Sequence, residues 1–192
     1  MTPSAAEISR SIYGAVRLAR WDASGHEMFE RTPEGALRSF FAAAIVAPAY
    51  LILLLLRYAD MPEGIAFGRF LLTEGIAYAI TWTAFPLVAW HFAAFTGRRD
   101  RYPGFLAAYN WSSVVQMTVY LPVIALGASE LLPQALAEGV AMVVTLLMLA
   151  YQWFILRTGL AVGAAMAVGL LMLDVLISIF VSGMADTITK GG

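Results

Sequence analysis

A chain of 192 residues of which 60% are hydrophobic and only 13% charged is too apolar for an ordinary water-soluble domain. Its 12 basic and 13 acidic groups leave a formal charge of −1, so no concentrated basic surface is available for nucleic acid. The absence of cysteine excludes disulfides, thiolate metal sites, cysteine nucleophiles, thioether-linked haem and sulfur lipidation.

Charges recur at Glu7, Arg10, Arg17 and Arg20, so the N-terminus lacks the uninterrupted apolar core of a signal peptide, and the first membrane helix is expected to do the targeting. Residues 5–20 place Ile8, Ile12, Ala15, Val16 and Ala19 on one helical face. This predicts an amphipathic interfacial helix, with Trp21 at headgroup level and the arginines favouring an anionic leaflet. A short helix packed on the protein's own loops is the other reading of the same pattern. Residues 1–36 are assigned to a cytoplasmic segment and linker, and removal of residues 1–31 is expected to leave the membrane domain inserted.

Thr32-Pro33-Glu34 supplies an N-cap, a proline at the first helical position and an acid in the first turn. Five apolar runs follow, at about 37–57, 70–95, 104–127, 134–156 and 159–183, each long enough for a hydrocarbon core of about 30 Å. Charge, proline and glycine at 57–64, the basic group at 98–101, a turn at 128–133 and Arg157-Thr158-Gly159 separate them. The expected fold is all-α: a polytopic membrane protein with a five-helix domain at 37–186 and a short external tail at 187–192. Connections this short predict that consecutive spans pack as antiparallel neighbours.

With the N-terminus inside, Arg10, Arg17, Arg20, Arg31, Arg38, Arg98, Arg99, Arg101 and Arg157 lie on the inner side, against Arg57, Arg69 and Lys190 outside. That asymmetry predicts a cell inner membrane protein with a cytoplasmic N-terminus and an external C-terminus.

Polar groups within apolar runs are costly and therefore informative. Asp174 lies about 22 Å along span five and Gln116 about 18 Å along span three, counted at 1.5 Å per residue. These two, with Tyr120 one turn away, form a candidate intramembrane polar site. It is either a protonatable group or a neutral acid joining two helices. His91, Asn110, Gln152 and Arg157 form a second candidate cluster near the inner face, where Trp90, Trp111 and Trp153 also suit an aromatic belt. Glu74 and Glu138 fall near the outer ends of their spans and read as interfacial. Gly159, Ala161, Gly163, Ala165 and Gly169 form a candidate helix-packing face, since small residues let backbones approach. The two histidines, His26 and His91, have no metal- or haem-ligand spacing, and no cofactor is expected. No nucleophile elbow, phosphate loop, zinc-protease motif or paired carboxylates occur, so catalytic residues are not expected.

Five apolar spans with short loops and an amphipathic cytoplasmic lead resemble the Yip1-like membrane proteins. The resemblance implies a role in shaping membranes and recruiting partners. The family's Asp-Leu-Tyr-Gly-Pro sequence before the first span is replaced here by Thr32-Pro33-Glu34-Gly35, so no functional residue is carried over. The sequence reading is a non-catalytic scaffold, assembly factor or accessory subunit. Its partners are the bilayer and another membrane protein or a second copy, not nucleic acid. The alternative is a small proton- or cation-coupled transporter or channel using Asp174 and Gln116.

Overall fold

The computed structural model describes residues 2–128 and 132–191, which form helices and connections with no strand among them. In chain order the helices are α1 (Ala5–Ala19), α2 (Pro33–Arg38), α3 (Phe41–Ala59), α4 (Phe67–Phe95), α5 (Tyr102–Ala128), α6 (Gln134–Gly159) and α7 (Ala164–Lys190), with a 3₁₀ segment at Ala23–Met28. Four helical stretches, Pro33–Ala59, Phe67–Phe95, Gln134–Gly159 and Ala164–Lys190, are long and apolar enough to cross a bilayer, which is compatible with a multi-pass membrane protein. The 27-residue α5 is not among them; it carries Asn110, Ser112, Ser113 and Gln116 at the middle of the bundle.

The first 40 residues fold by local rules. Ser4 caps α1 by accepting from the Glu7 amide at 3.2 Å, and Trp21, at φ 63°, reverses the chain. The 3₁₀ segment then returns along α1. A Cβ on Gly25 would stand 2.6 Å from the Gly14 carbonyl oxygen, and one on Gly14 would stand 2.7 Å from the Met28 Cβ, so this contact needs both glycines. Thr32 caps α2 through the Gly35 amide at 3.1 Å, as its sequence predicts. A tight turn follows, in which the Ala42 and Ala43 amides donate to the Ser39 and Phe40 carbonyls, and separates α2 from α3.

α1 is built into the core. Ala15 and Leu18 are fully buried, and the Tyr151 hydroxyl of α6 donates to the Ala15 carbonyl at 2.8 Å. Phe29, Phe85, Ala89, Phe105, Trp111, Ile155, Leu156 and Leu160 complete an apolar core at this end of the bundle. Leu72, Leu87, Leu146, Leu176 and Phe180 point outward from the long helices, the pattern of a surface that meets hydrocarbon.

Neighbour order departs from chain order. α5 packs on α6, and α6 on α7, as short connections require. α4, however, takes α7 as its principal partner and touches α3 and α5 only slightly, while α5 packs on α3. The helices therefore form a ring α3–α5–α6–α7–α4, and α4 and α5 are held apart by the cavity described below. Element ends also shift. Leu160–Gly163 is a loop, with Ala161 at φ 49°, so α7 starts at Ala164 instead of 159. It runs on to Lys190 through most of the expected tail. Residues 129–131 of the turn expected at 128–133 lie outside the described residues, as does Gly192.

Candidate functional site

α5 places Tyr109, Ser113, Gln116 and Tyr120 at spacings of four, three and four, one stripe of a 3.6-residue helix. α7 places Asp174, Ser178, Ser182 and Asp186 on a ridge of four-residue steps. The two rows face each other across a cavity of about 280 Å³ walled on its other sides by α3 and α4. Tyr50, Tyr78, Thr81, Ser113, Gln116 and Tyr120 are among its lining groups. Tyr50 and Tyr78 stack with ring centroids 4.7 Å apart, and the Tyr78 hydroxyl donates to the Ala43 carbonyl at 2.7 Å, which fixes the α3–α4 wall.

At the end nearer α1 the cavity meets Asp174. The Tyr109 hydroxyl lies 3.1 Å from each Asp174 carboxylate oxygen. Gln152 of α6 approaches Oδ2 through Nε2 at 3.5 Å, and its Oε1 accepts from Gln116 Nε2 at 2.9 Å. Gln116 thus reaches Asp174 through Gln152 and not directly. The reason is the late start of α7. Counted from Ala164, Asp174 lies only about 15 Å along its helix, whereas Gln116 lies about 21 Å along α5. Tyr120 lines the cavity about a turn beyond Gln116.

At the other end the cavity meets a charged network. The Tyr50 hydroxyl donates to Glu74 Oε2 at 3.1 Å, and Arg57 donates to Glu74 Oε1 at 2.9 Å and to Asp186. Lys190 stands 3.7 Å from Asp186, and Arg69 donates to the Ile188 carbonyl. Glu74 is 3% exposed, so it is an interior acid with a guanidinium counter-charge and not the interfacial residue its position suggests. Glu138 is exposed and accepts from Gln134 at 2.8 Å.

The cluster expected from His91, Asn110, Gln152 and Arg157 does not assemble. His91 is exposed, because it follows buried Ala89 by two residues, about 200° round the helix. Asn110 is fully buried; it donates to the Ser39 hydroxyl at 2.8 Å, and its carbonyl oxygen has no partner among the described residues. Gln152 turns inward to Asp174. Arg157, five residues on and so about 140° away, is exposed and lies over the Trp153 ring at 5.2 Å.

The proposed helix-packing face is also divided. A Cβ on Gly159 would stand 3.1 Å from both His26 and Phe105, so that residue packs inside the chain. Gly163 and Gly169 have open space around them, and Ala161 and Ala165 are exposed. Ala161 and Gly163 lie in the loop at 160–163, so only Ala165 and Gly169 remain on α7.

A second polar cavity, of about 310 Å³, lies at the α1 end between the 3₁₀ segment, the start of α5 and the α6–α7 turn. His26 Nε2 and Thr158 Oγ1 are 2.8 Å apart on its wall. Burial, and then the Arg31 charge, lower the His26 pKa to about 4, so the ring is neutral at neutral pH.

Tyr109, Tyr50 and Arg57 are the residues of the candidate site that sequence reasoning missed. The α5 stripe and the four-residue ridge of α7 were the signals that could have found the cavity. Comparison with protein-family models, with curated proteins and with solved structures finds no match to this chain.

Proposed function

We propose that this chain is a five-span inner-membrane protein, with a cytoplasmic N-terminus and external C-terminus, that acts as a small proton- or cation-coupled transporter. α5 serves as the fifth span, its polar stripe turned to the cavity and not to lipid. The observation that carries this reading is a hydroxyl-lined cavity joined at one end to Asp174 through Tyr109 and at the other to Glu74 through Tyr50. Side-chain hydroxyls both donate and accept, so they can hold a hydrated cation or pass a proton between carboxylates that hydrocarbon would otherwise isolate. Asp174 is the exchanging acid: it has no basic partner among the described residues, while Glu74 is pinned by Arg57. The role assigned to it is exchange and not covalent catalysis.

The test is proton flux in vesicles reconstituted with purified protein under an imposed pH gradient. Asp174→Asn keeps the shape and the hydrogen bonds to Tyr109 and Gln152. It is expected to fold with a thermal midpoint near wild type and to lose flux by at least about tenfold. Wild-type flux in a folded Asp174→Asn protein refutes the assignment.

A second reading, a scaffold, assembly factor or accessory subunit acting by helix packing, is favoured by the exposed small residues Ala165 and Gly169 of α7. Folded wild-type protein with no flux, co-eluting in mild detergent with a membrane partner, selects that reading.

A further inference from the structure

The cavity at the α1 end has a chemistry that the intramembrane site does not use. Most of the arginines that can be placed are neutralised or committed. Arg17, Arg38 and Arg57 are in ion pairs, Arg99 and Arg157 lie over tryptophan rings, and Arg98 and Arg69 donate to carbonyls. The side chains of Arg10, Arg20, Arg31 and Arg101 have no hydrogen-bond, ion-pair or ring partner among the described residues, and of these Arg31 and Arg101 line this one cavity. Two guanidinium groups and a single carboxylate, Asp100, on one cavity leave an excess of positive charge there that an anion can join.

Arg31 is exposed, but its stem is placed. Its aliphatic stem lies on the first turn of α5, where a Cβ at Gly104 would stand 3.1 Å from Arg31 Cγ. Glycine at 104 is what admits it. Gly104 is a buried residue, and its amide, third in α5, donates to no acceptor among the described residues, although the next amide, that of Phe105, is bonded to Arg101. The cavity thus gathers two unpaired guanidinium groups and an unused helix N–H, the donor set that recognises phosphate. Its opposite wall is neutral, since the His26 ring is uncharged at neutral pH, and Asp100 supplies a single carboxylate at the same cavity. A volume of about 310 Å³ admits a phosphate with its ester substituent and no large ligand.

We propose that the cavity between the 3₁₀ segment, the start of α5 and the α6–α7 turn binds a phosphate group through Arg31 and Arg101. Its source is either the headgroup of an anionic lipid or a soluble phosphate monoester. The recognising chemistry is the same, and the experiment separates the two.

Full-length protein in a non-ionic detergent is titrated calorimetrically at neutral pH, once with inorganic phosphate and once with a short-chain phosphatidylglycerol below its micellar concentration. Saturable binding of inorganic phosphate assigns a soluble ligand, and binding of the lipid alone assigns a headgroup. Either is expected to weaken by about tenfold in Arg31→Gln and in Arg101→Gln, as loss of one charge-assisted partner requires. Gly104→Ala keeps every charge but displaces the Arg31 stem, and is expected to weaken binding to a similar degree. Arg31 and Arg101 are both exposed, so both substitutions are expected to leave the fold intact. Absence of saturable binding of both probes, or unchanged binding in folded Arg31→Gln and Arg101→Gln, overturns the proposal.

Discussion

The two ends of the bundle are built on opposite plans. At the α1 end, Phe85, Phe105, Trp111 and Leu156 are at most 2% exposed and interleave with alanines, so the helices close on one another. Toward the other end the same helices part around tyrosine, serine and glutamine side chains, and the contact is made by Arg57, Glu74 and Asp186. Dispersion and small residues hold the first region, and directed polar bonds hold the second. A cavity can be kept open only where another part of the bundle supplies the rigidity, and the closed end does so here.

The sharpest way to break this contrast is to remove the closed end's outer layer. Deletion of residues 1–31 strips Leu18 and Phe29 from the core and leaves the Tyr151 hydroxyl without its acceptor. Whatever the deletion does to insertion, the burial of this segment makes its loss costly in stability. A loss on the order of 5 kcal/mol is expected. Denaturant titration in detergent, followed by tryptophan fluorescence, measures it, and a wild-type midpoint would separate α1 from the core.

A smaller effect probes the polar end. Arg57→Ala leaves Glu74 buried without its counter-charge and is expected to cost about 3 kcal/mol, whereas Arg57→Ala with Glu74→Gln recovers most of that loss. A double-mutant cycle on the same unfolding measurement tests it.

The smallest effect concerns pH. His26 titrates near 4 when folded and near the usual 6.5 when unfolded. Above 6.5 both states are neutral and the ring contributes nothing. Between 6.5 and 4 the unfolded chain takes up the proton first, so stability falls as pH falls, and below 4 the loss is complete. From pH 7 to pH 5 this amounts to about 2 kcal/mol. His26→Gln, which retains an amide donor toward Thr158, is expected to remove that part of the pH dependence.

Helix content and approximate boundaries were legible because proline, glycine and charge punctuate long apolar runs. The ring order was not. Nothing in the hydrophobic pattern of α4 says that it prefers α7 to α3, since all its lipid-compatible faces read alike. Asp174 and Gln116 stood out because each is costly in hydrocarbon. Tyr109 did not, because tyrosine is unremarkable near a membrane boundary. Arg57 counted as a loop charge for orientation, yet its guanidinium reaches inward to Glu74. Gln152 was assigned to the wrong cluster because depth was judged from a span boundary that differs by several residues in the fold.

The pairing of α4 with α7 also governs the order in which the molecule can be made. α4 leaves the ribosome well before its principal partner, which is the last helix of the described chain. Until α7 arrives, Tyr50, Tyr78 and Thr81 line a groove with no fourth wall, open to lipid or to whatever chaperone attends the nascent chain. The polar chamber is thus a late product of synthesis, completed only when Ser178 and Ser182 slide in behind the tyrosines.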